Sequence, residues 1–243
     1  MKNKVLKVVL PLLIWTSVWH ILSLIVSNEY LLPGIPSTVI ALGSLLSEFT
    51  FYKAVFFSAL RVLAGLILGI LLGIIIGIVC TKYYLLDTII APVVSIIKST
   101  PVASFIVLLW VLMSGDALSI FIGFLMVLPL IWQSTVDSIN SIDKDTMEVA
   151  KVFEFSVAKK IKLIYLPTLK KCLVPAVISA AGLAWKAEIA AEIIAYTKKS
   201  IGQGINDAKY NMDTPTVFAW TIVIVAFSIF LESITKRMLR RIK

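Results

Sequence analysis

Five stretches of this chain, at about 5–27, 57–80, 118–137, 172–195 and 217–235, are each roughly twenty residues of nearly unbroken apolar sequence. A helix rises about 1.5 Å per residue, so some twenty apolar residues cross the roughly 30 Å of hydrocarbon in a bilayer. Every backbone polar group inside that layer must be satisfied within the segment, which makes each run a helix. The expected fold is therefore all-α and polytopic. Composition agrees: 59% of the 243 residues are hydrophobic and 15% are charged, well outside the range of an ordinary soluble domain.

A sixth run, near 92–113, is interrupted by Ser99-Thr100-Pro101. Proline removes a backbone donor and disfavours helix in the residue before it, and Pro101 to Met113 alone is too short to cross, so the span must begin before the proline. Lys2, Lys4 and Lys7 precede the first run in the manner of a signal peptide. Val5 to Val26 is longer than a typical signal core, however, and no small-x-small cleavage site follows, so this run is expected to stay as a span.

Six crossings place both termini on one side, and basic residues choose that side. The N-terminus, the loop near 81–98, the loop 138–171 and the C-terminal tail hold 17 lysines and arginines, against 5 on the other side (Lys53, Arg61, Lys198, Lys199, Lys209). Both termini are expected in the cytoplasm. The net charge of +9 is explained by this orientation, and no nucleic-acid partner is expected. Cys80 and Cys172 fall at cytoplasmic helix ends, where no disulfide is expected.

The second run carries Gly65, Gly69, Gly73 and Gly77 at four-residue intervals. In a helix they form one stripe on which another backbone approaches closely, so this helix should be buried against protein. Between the first two runs, Pro36 followed by Ser37 as N-cap marks either a short amphipathic helix at the interface or an ordered loop.

The loop from 141 to 168 is basic and patterned. Asp145 three residues before Glu148 has capping-box spacing, Val149, Val152 and Phe153 share an apolar face, and Ser156 is placed to cap a second helix that reaches Leu166-Pro167. An apolar face on the wet side of a membrane must be covered by its own transmembrane helices, by lipid, or by a groove on a soluble partner.

"EVAKVFE" followed by "IYLP" resembles the EAA signature of binding-protein-dependent ABC transporter permeases, with its distal L-P. "SALRVLAG", "STPVASFIVLLW" and "LAWKAEIAAE" are similar, in order, to elements of the nitrate, sulfonate and taurine permeases, and the likeness covers about residues 30–235. The resemblance implies a type I ABC permease fold. It makes 1–243 a single transmembrane permease domain with a core at about 57–235 and a cytoplasmic coupling segment at about 141–168. In that segment Glu148, Val149, Ala150, Glu154, Leu166 and Pro167 would contact a cytoplasmic ATPase. The family usually has glycine where this chain has Glu154, and many relatives have a second proline where it has Lys171.

Further implications are an extracytoplasmic solute-binding protein, a second copy of the chain, contact with membrane lipid, and a bacterial plasma (inner) membrane location. The chain contains no G-x-x-x-x-G-K-[ST] phosphate loop, so ATP and Mg belong on the partner ATPase and no cofactor is expected here. The resemblance further implies a small transported solute: an oxyanion, a sulfonate or a thiamine-precursor-like compound.

Charges within spans are costly and default to paired or functional roles. Glu188 and Glu192 lie one turn apart, and Lys186 is two residues earlier. Either Lys186 and one glutamate form a buried pair that fixes packing, or Lys186 or Trp185 lies on a water-filled path with Glu192 nearby. Ser99, Thr100 and Pro101 are the other pathway candidates, since a broken helix exposes backbone groups; a simple kink is the competing reading. His20 is a lone packed or interfacial histidine, and neither a metal cluster nor a nucleophile-base set is visible. The competing function is an ion-coupled secondary transporter or channel, which would show inverted repeats and more paired intramembrane acids.

Overall fold

The computed structural model describes residues 2–113 and 115–240. All regular structure among them is helical: α1 (Lys2–Val26), α2 (Ile35–Ser47), α3 (Phe49–Lys82), α4 (Tyr84–Ser99), α5 (Val102–Trp110), α6 (Asp116–Asn140), α7 (Lys144–Val152), α8 (Val157–Lys160), α9 (Leu166–Ile194), α10 (Ile201–Tyr210) and α11 (Thr214–Arg240). Five helical stretches are long and apolar enough to cross a membrane, and six crossings result if the bent pair α4–α5 counts as one.

Helices α3, α6 and α9 form the core. Gly69, Gly73 and Gly77 lie against Val127, Ile131 and Thr135, respectively, and a Cβ on Gly69 would come within 2.6 Å of the Val127 Cβ. The stripe expected from the four-residue spacing is thus the α3–α6 contact. Both partners advance in steps of four in the same direction, so α3 and α6 run parallel. The chain between them must return to the end at which α3 began. Helices α4 and α5 make that return, bent by 101° at the break around Thr100 and Pro101. Helix α9 runs the other way along α6, with Ser138 Oγ donating to Thr168 O at one end and Glu188 against Gly123 toward the other.

Helices α1, α2 and α11 flank this core. Trp19 of α1 donates to the Pro33 carbonyl and stacks on Phe218, and Thr214 at the start of α11 donates to Tyr30 O just beyond α1. α1 therefore runs toward the end of the bundle that holds α10, and α11 runs away from it, which brings the start of α1 and the end of α11 to the α7 end. Trp185 fastens α11 to α9 through a 3.1 Å bond to Ile224 O and a stack on Phe227.

Several expectations shift. The second crossing starts at Phe49 rather than near residue 57, because the sequence from 49 to 56 is apolar and aromatic and continues the helix. The segment near 81–98, counted above as a loop, is mostly α4, so Lys98 stands in its last turn. The short helix after Pro36 forms, but its cap is Gly34, and Ser37 sits inside, its hydroxyl bonded back to Gly34 O. Proline in the first helical turn has φ preset and no donor to lose, which favours the earlier start. Cys80 and Cys172 are free thiols.

Candidate functional site

Two polar or exposed features stand at opposite ends of the bundle, with the break between them. At one end, α7 is capped by Asp143, whose side chain accepts from Asp145 N at 3.3 Å; Asp145 lies in the first turn and is not the cap. An acidic residue there complements the helix dipole, so the capping-box spacing found a real helix but placed its start two residues late.

The far end of α7 closes with paired bonds, Glu154 N to Lys151 O at 2.9 Å and Phe155 N to Ala150 O at 2.9 Å. This is a Schellman turn, which needs a left-handed residue after the cap, and Glu154 takes that role with φ +47°. A non-glycine residue in that conformation carries a strain of roughly 1 kcal/mol. Ser156 caps α8 by accepting from Lys159 N, and the Lys159 ammonium sits 4.0 Å over the Phe155 ring.

A π-helical turn, Ile161–Tyr165, then joins α8 to α9 just before Leu166 and Pro167. Pro167 has no N–H for the Leu163 carbonyl, and the wider register, with Leu166 N bonding Ile161 O, absorbs the mismatch. The chain thus continues through Lys171 and Pro175 as one helix into the membrane.

Around this turn Ala150 is buried, while Glu148, Val149, Glu154, Leu166 and Pro167 are exposed. Val152, Phe153 and Val157 are 79%, 69% and 75% exposed. Apolar side chains exposed together on a short helical turn mark a contact surface.

At the opposite end, Arg61 of α3 is 5% exposed and gathers three elements. Its Nη1 is 2.9 Å from Glu192 Oε1 on α9, its Nε donates to Asp116 Oδ1 on α6 at 2.8 Å, and its Nη2 donates to Lys198 O at 3.1 Å. Ser58 donates to Glu192 Oε2 at 2.8 Å and accepts from Ile201 N at the start of α10. Gly202 N completes the set on Glu192. Arg61 and Glu192 are each paired and hydrogen-bonded, the condition for keeping charge in a low-dielectric interior. Just outside the spans, Tyr196 donates to Asp207, and that bond to a carboxylate holds its phenol above the usual range.

This knot changes the picture of the intramembrane charges. Glu192 pairs with Arg61, and Lys186 pairs with neither Glu192 nor Glu188, because α9 turns it outward to an exposed face. Trp185 points inward and is fully buried. Glu188 is also fully buried, in the notch left by Gly65 and Gly123, and neither of its oxygens has a hydrogen-bond partner among the described residues. At the break, the Ser99 and Thr100 hydroxyls both bond back to Ile96 O, at 3.1 and 2.8 Å, and Pro101 leads into α5.

Sequence reasoning did not single out Ser58, Arg61 or Asp116. Arg61 was visible within "SALRVLAG", but it had been counted only among the charges on the side opposite the termini, and no local spacing ties position 61 to position 192.

The comparisons with known proteins bear on this combination of crossings and turn. Residues 69–243 match the family of binding-protein-dependent transport system inner membrane components. The chain belongs to that family. Over 225 residues it is 25% identical to a probable ABC transporter permease protein of Brucella melitensis biotype 1, covering 92% of this chain and 90% of that one. The same identity and share of this chain apply to a probable ABC transporter permease protein of Brucella abortus biovar 1, of which 89% is covered. The permease is thus the non-catalytic inner-membrane component of an ABC transporter, binding no cofactor itself, and a binding-protein-dependent system implies an ATPase and a binding protein beside it.

Proposed function

We propose that this permease belongs to the nitrate, sulfonate and taurine type and carries a small oxyanion or sulfonate inward. The solute is delivered by an extracytoplasmic binding protein, and closure of a cytoplasmic ATPase drives the transfer. The α7 end is the cytoplasmic one, in keeping with its share of lysine and arginine. There α7, the Glu154 turn and α8 form the knob that enters the ATPase. Glu148 and Val149 lie on its rim, and Leu166 and Pro167 carry its movement into α9.

The observation that carries this reading is the knob itself: Val152, Phe153 and Val157 stand exposed, with no cover from their own chain among the described residues, on a turn held by two backbone bonds. A rigid apolar projection suits insertion into a cleft, as helix-in-groove recognition requires. The subfamily assignment draws support from Arg61 and Glu192. They come from two separate sequence elements of that resemblance, 131 residues apart, and meet at 2.9 Å.

Two copies of the permease would enclose the path between their exposed faces. Lys186 supports this, because an ammonium deep in a span and exposed on the protomer belongs against water or protein rather than lipid. ATPase closure would then rock the two copies between inward-facing and outward-facing states.

Co-expression with an ATPase encoded beside the permease tests the reading. The wild type should co-elute with it and take up solute with ATP, and Glu148→Trp with Phe153→Ser should lose both while the membrane protein still folds. Intact assembly and transport in that variant would refute the coupling assignment.

A further inference from the structure

Beside the break, α4, α5, α6 and α9 leave a cavity of about 370 Å³. Its polar lining is Lys98, Thr100, Gln133 and Ser134, its apolar lining includes Met126 and Leu183, and no carboxylate lines it. The α6 lining runs from Leu125 to Ser134 within a helix spanning Asp116–Asn140, so the cavity lies about 9–14 Å in from either helix end, near mid-depth. Lys98 and Leu183 are exposed, which opens the cavity onto the same side of α9 that carries Lys186.

No carboxylate pairs with Lys98 within 4.0 Å among the described residues. Asp137, one turn beyond Gln133 on α6, is occupied by the Gln133 amide at 2.8 Å and stays outside the cavity. The Thr100 hydroxyl donates to Ile96 O, so it can only accept a further bond. The donors left for a guest are the Lys98 ammonium, the Ser134 hydroxyl and the second N–H of Gln133. An uncompensated ammonium near mid-depth, beside neutral donors and an apolar wall, is the chemistry that holds a small anion with a short non-polar body.

We propose that this cavity is an anion subsite on the transport path, with Lys98 as its charge, Ser134 and Gln133 as its hydrogen-bonding groups, and Met126 and Leu183 against the apolar part of the solute. The proposal rests on the importer reading above, and it names residues that the resemblance did not. The same ammonium chemistry would suit an anionic lipid headgroup, so the test separates the two sources.

Full-length permease, assembled with its ATPase in nanodiscs of neutral lipid, is prepared with Cys80→Ala, Cys172→Ser and Ser134→Cys. The new thiol is modified with two water-soluble methanethiosulfonates of opposite charge, one ending in a sulfonate and one in a trimethylammonium. Each rate is normalised to that with a small free thiol. The sulfonate reagent should react about tenfold faster or more, from the local charge, and Lys98→Gln should abolish the preference. Leu183→Cys on the facing wall gives a second reading should Ser134→Cys fold poorly.

Equal rates, a preference unchanged by Lys98→Gln, or no reaction with either reagent would each overturn the proposal. Loss of the preference on adding phosphatidylglycerol would assign the ammonium to lipid and equally overturn it. Co-elution of the ATPase is scored on the same samples. Its failure counts against the importer reading alone, since the charge preference needs no nucleotide hydrolysis.

Discussion

The two ends of the bundle solve opposite problems. At the α10 end, charge is buried, and Arg61 and Glu192 are met by their own chain: Arg61 reaches Glu192, Asp116 and Lys198 O, and Glu192 also holds Ser58 and Gly202 N, whereas Glu188 one turn away has no partner among the described residues. At the α7 end, apolar groups are bare, and among the described residues nothing covers Val152, Phe153 or Val157. A charge kept in a low-dielectric interior must find its counter-charge within the fold, because no water is there to replace it. An apolar group in water can wait for a partner on another molecule. The first end therefore reads as a fixed joint, and the second as a surface built for an encounter.

The sharpest way to break that contrast is at the joint. Arg61→Met leaves Glu192 buried without its counter-charge, at a cost of about 3–5 kcal/mol, and thermal unfolding of the detergent-solubilised permease should show a large drop. A small change would mean that water reaches Glu192 and that the joint is wetter than its burial implies. Phe153→Ser is the complementary case. It should leave stability within about 0.5 kcal/mol yet weaken ATPase association by about 2 kcal/mol or more, the loss expected for an aromatic anchor, as read from co-elution at graded concentrations.

Glu154→Gly sharpens the contrast from inside the knob. Glycine takes φ +47° without strain, so the turn should gain up to about 1 kcal/mol, read as a rise in melting temperature. A melting temperature that falls would show that the glutamate side chain, and not only the backbone, supports the turn. The smallest effect is expected for Asp116→Asn. Its side chain is 70% exposed, so the pair with Arg61 is screened and should contribute less than about 1 kcal/mol. A loss as large as that of Arg61→Met would make Asp116 a full member of the joint.

Much of the architecture was legible because it is written in local periods. The glycine stripe of α3 announced a close helix contact, Ser156 announced the start of α8, and the proline at 101 announced a break, since each rests on residues within a turn or two of one another. The cap of α7 was missed by two residues because Asp143 and Asp145 both suit a helix start, and only the backbone decides between them. The joint was illegible for a different reason. Arg61, Asp116 and Glu192 stand 55 and 131 residues apart along the chain, and no period links them. Lys186 misled because its sequence neighbours are acidic, whereas the helix turns it about 160° away from Glu188. Lys98 was hidden among the loop lysines, since a span bent by 101° does not look like a span in a linear reading.

The central claim is that the α7–α8 turn is a cytoplasmic knob seated in an ATPase. The most direct measurement places a single cysteine there, Phe153→Cys with Cys80→Ala and Cys172→Ser, and treats the assembled transporter with a short bifunctional thiol crosslinker, followed by mass spectrometry. The account predicts a crosslink from position 153 to the ATPase, together with protection from a membrane-impermeant maleimide applied to intact cells. Labelling of that cysteine from outside the cell, with no crosslink to the ATPase, would contradict it.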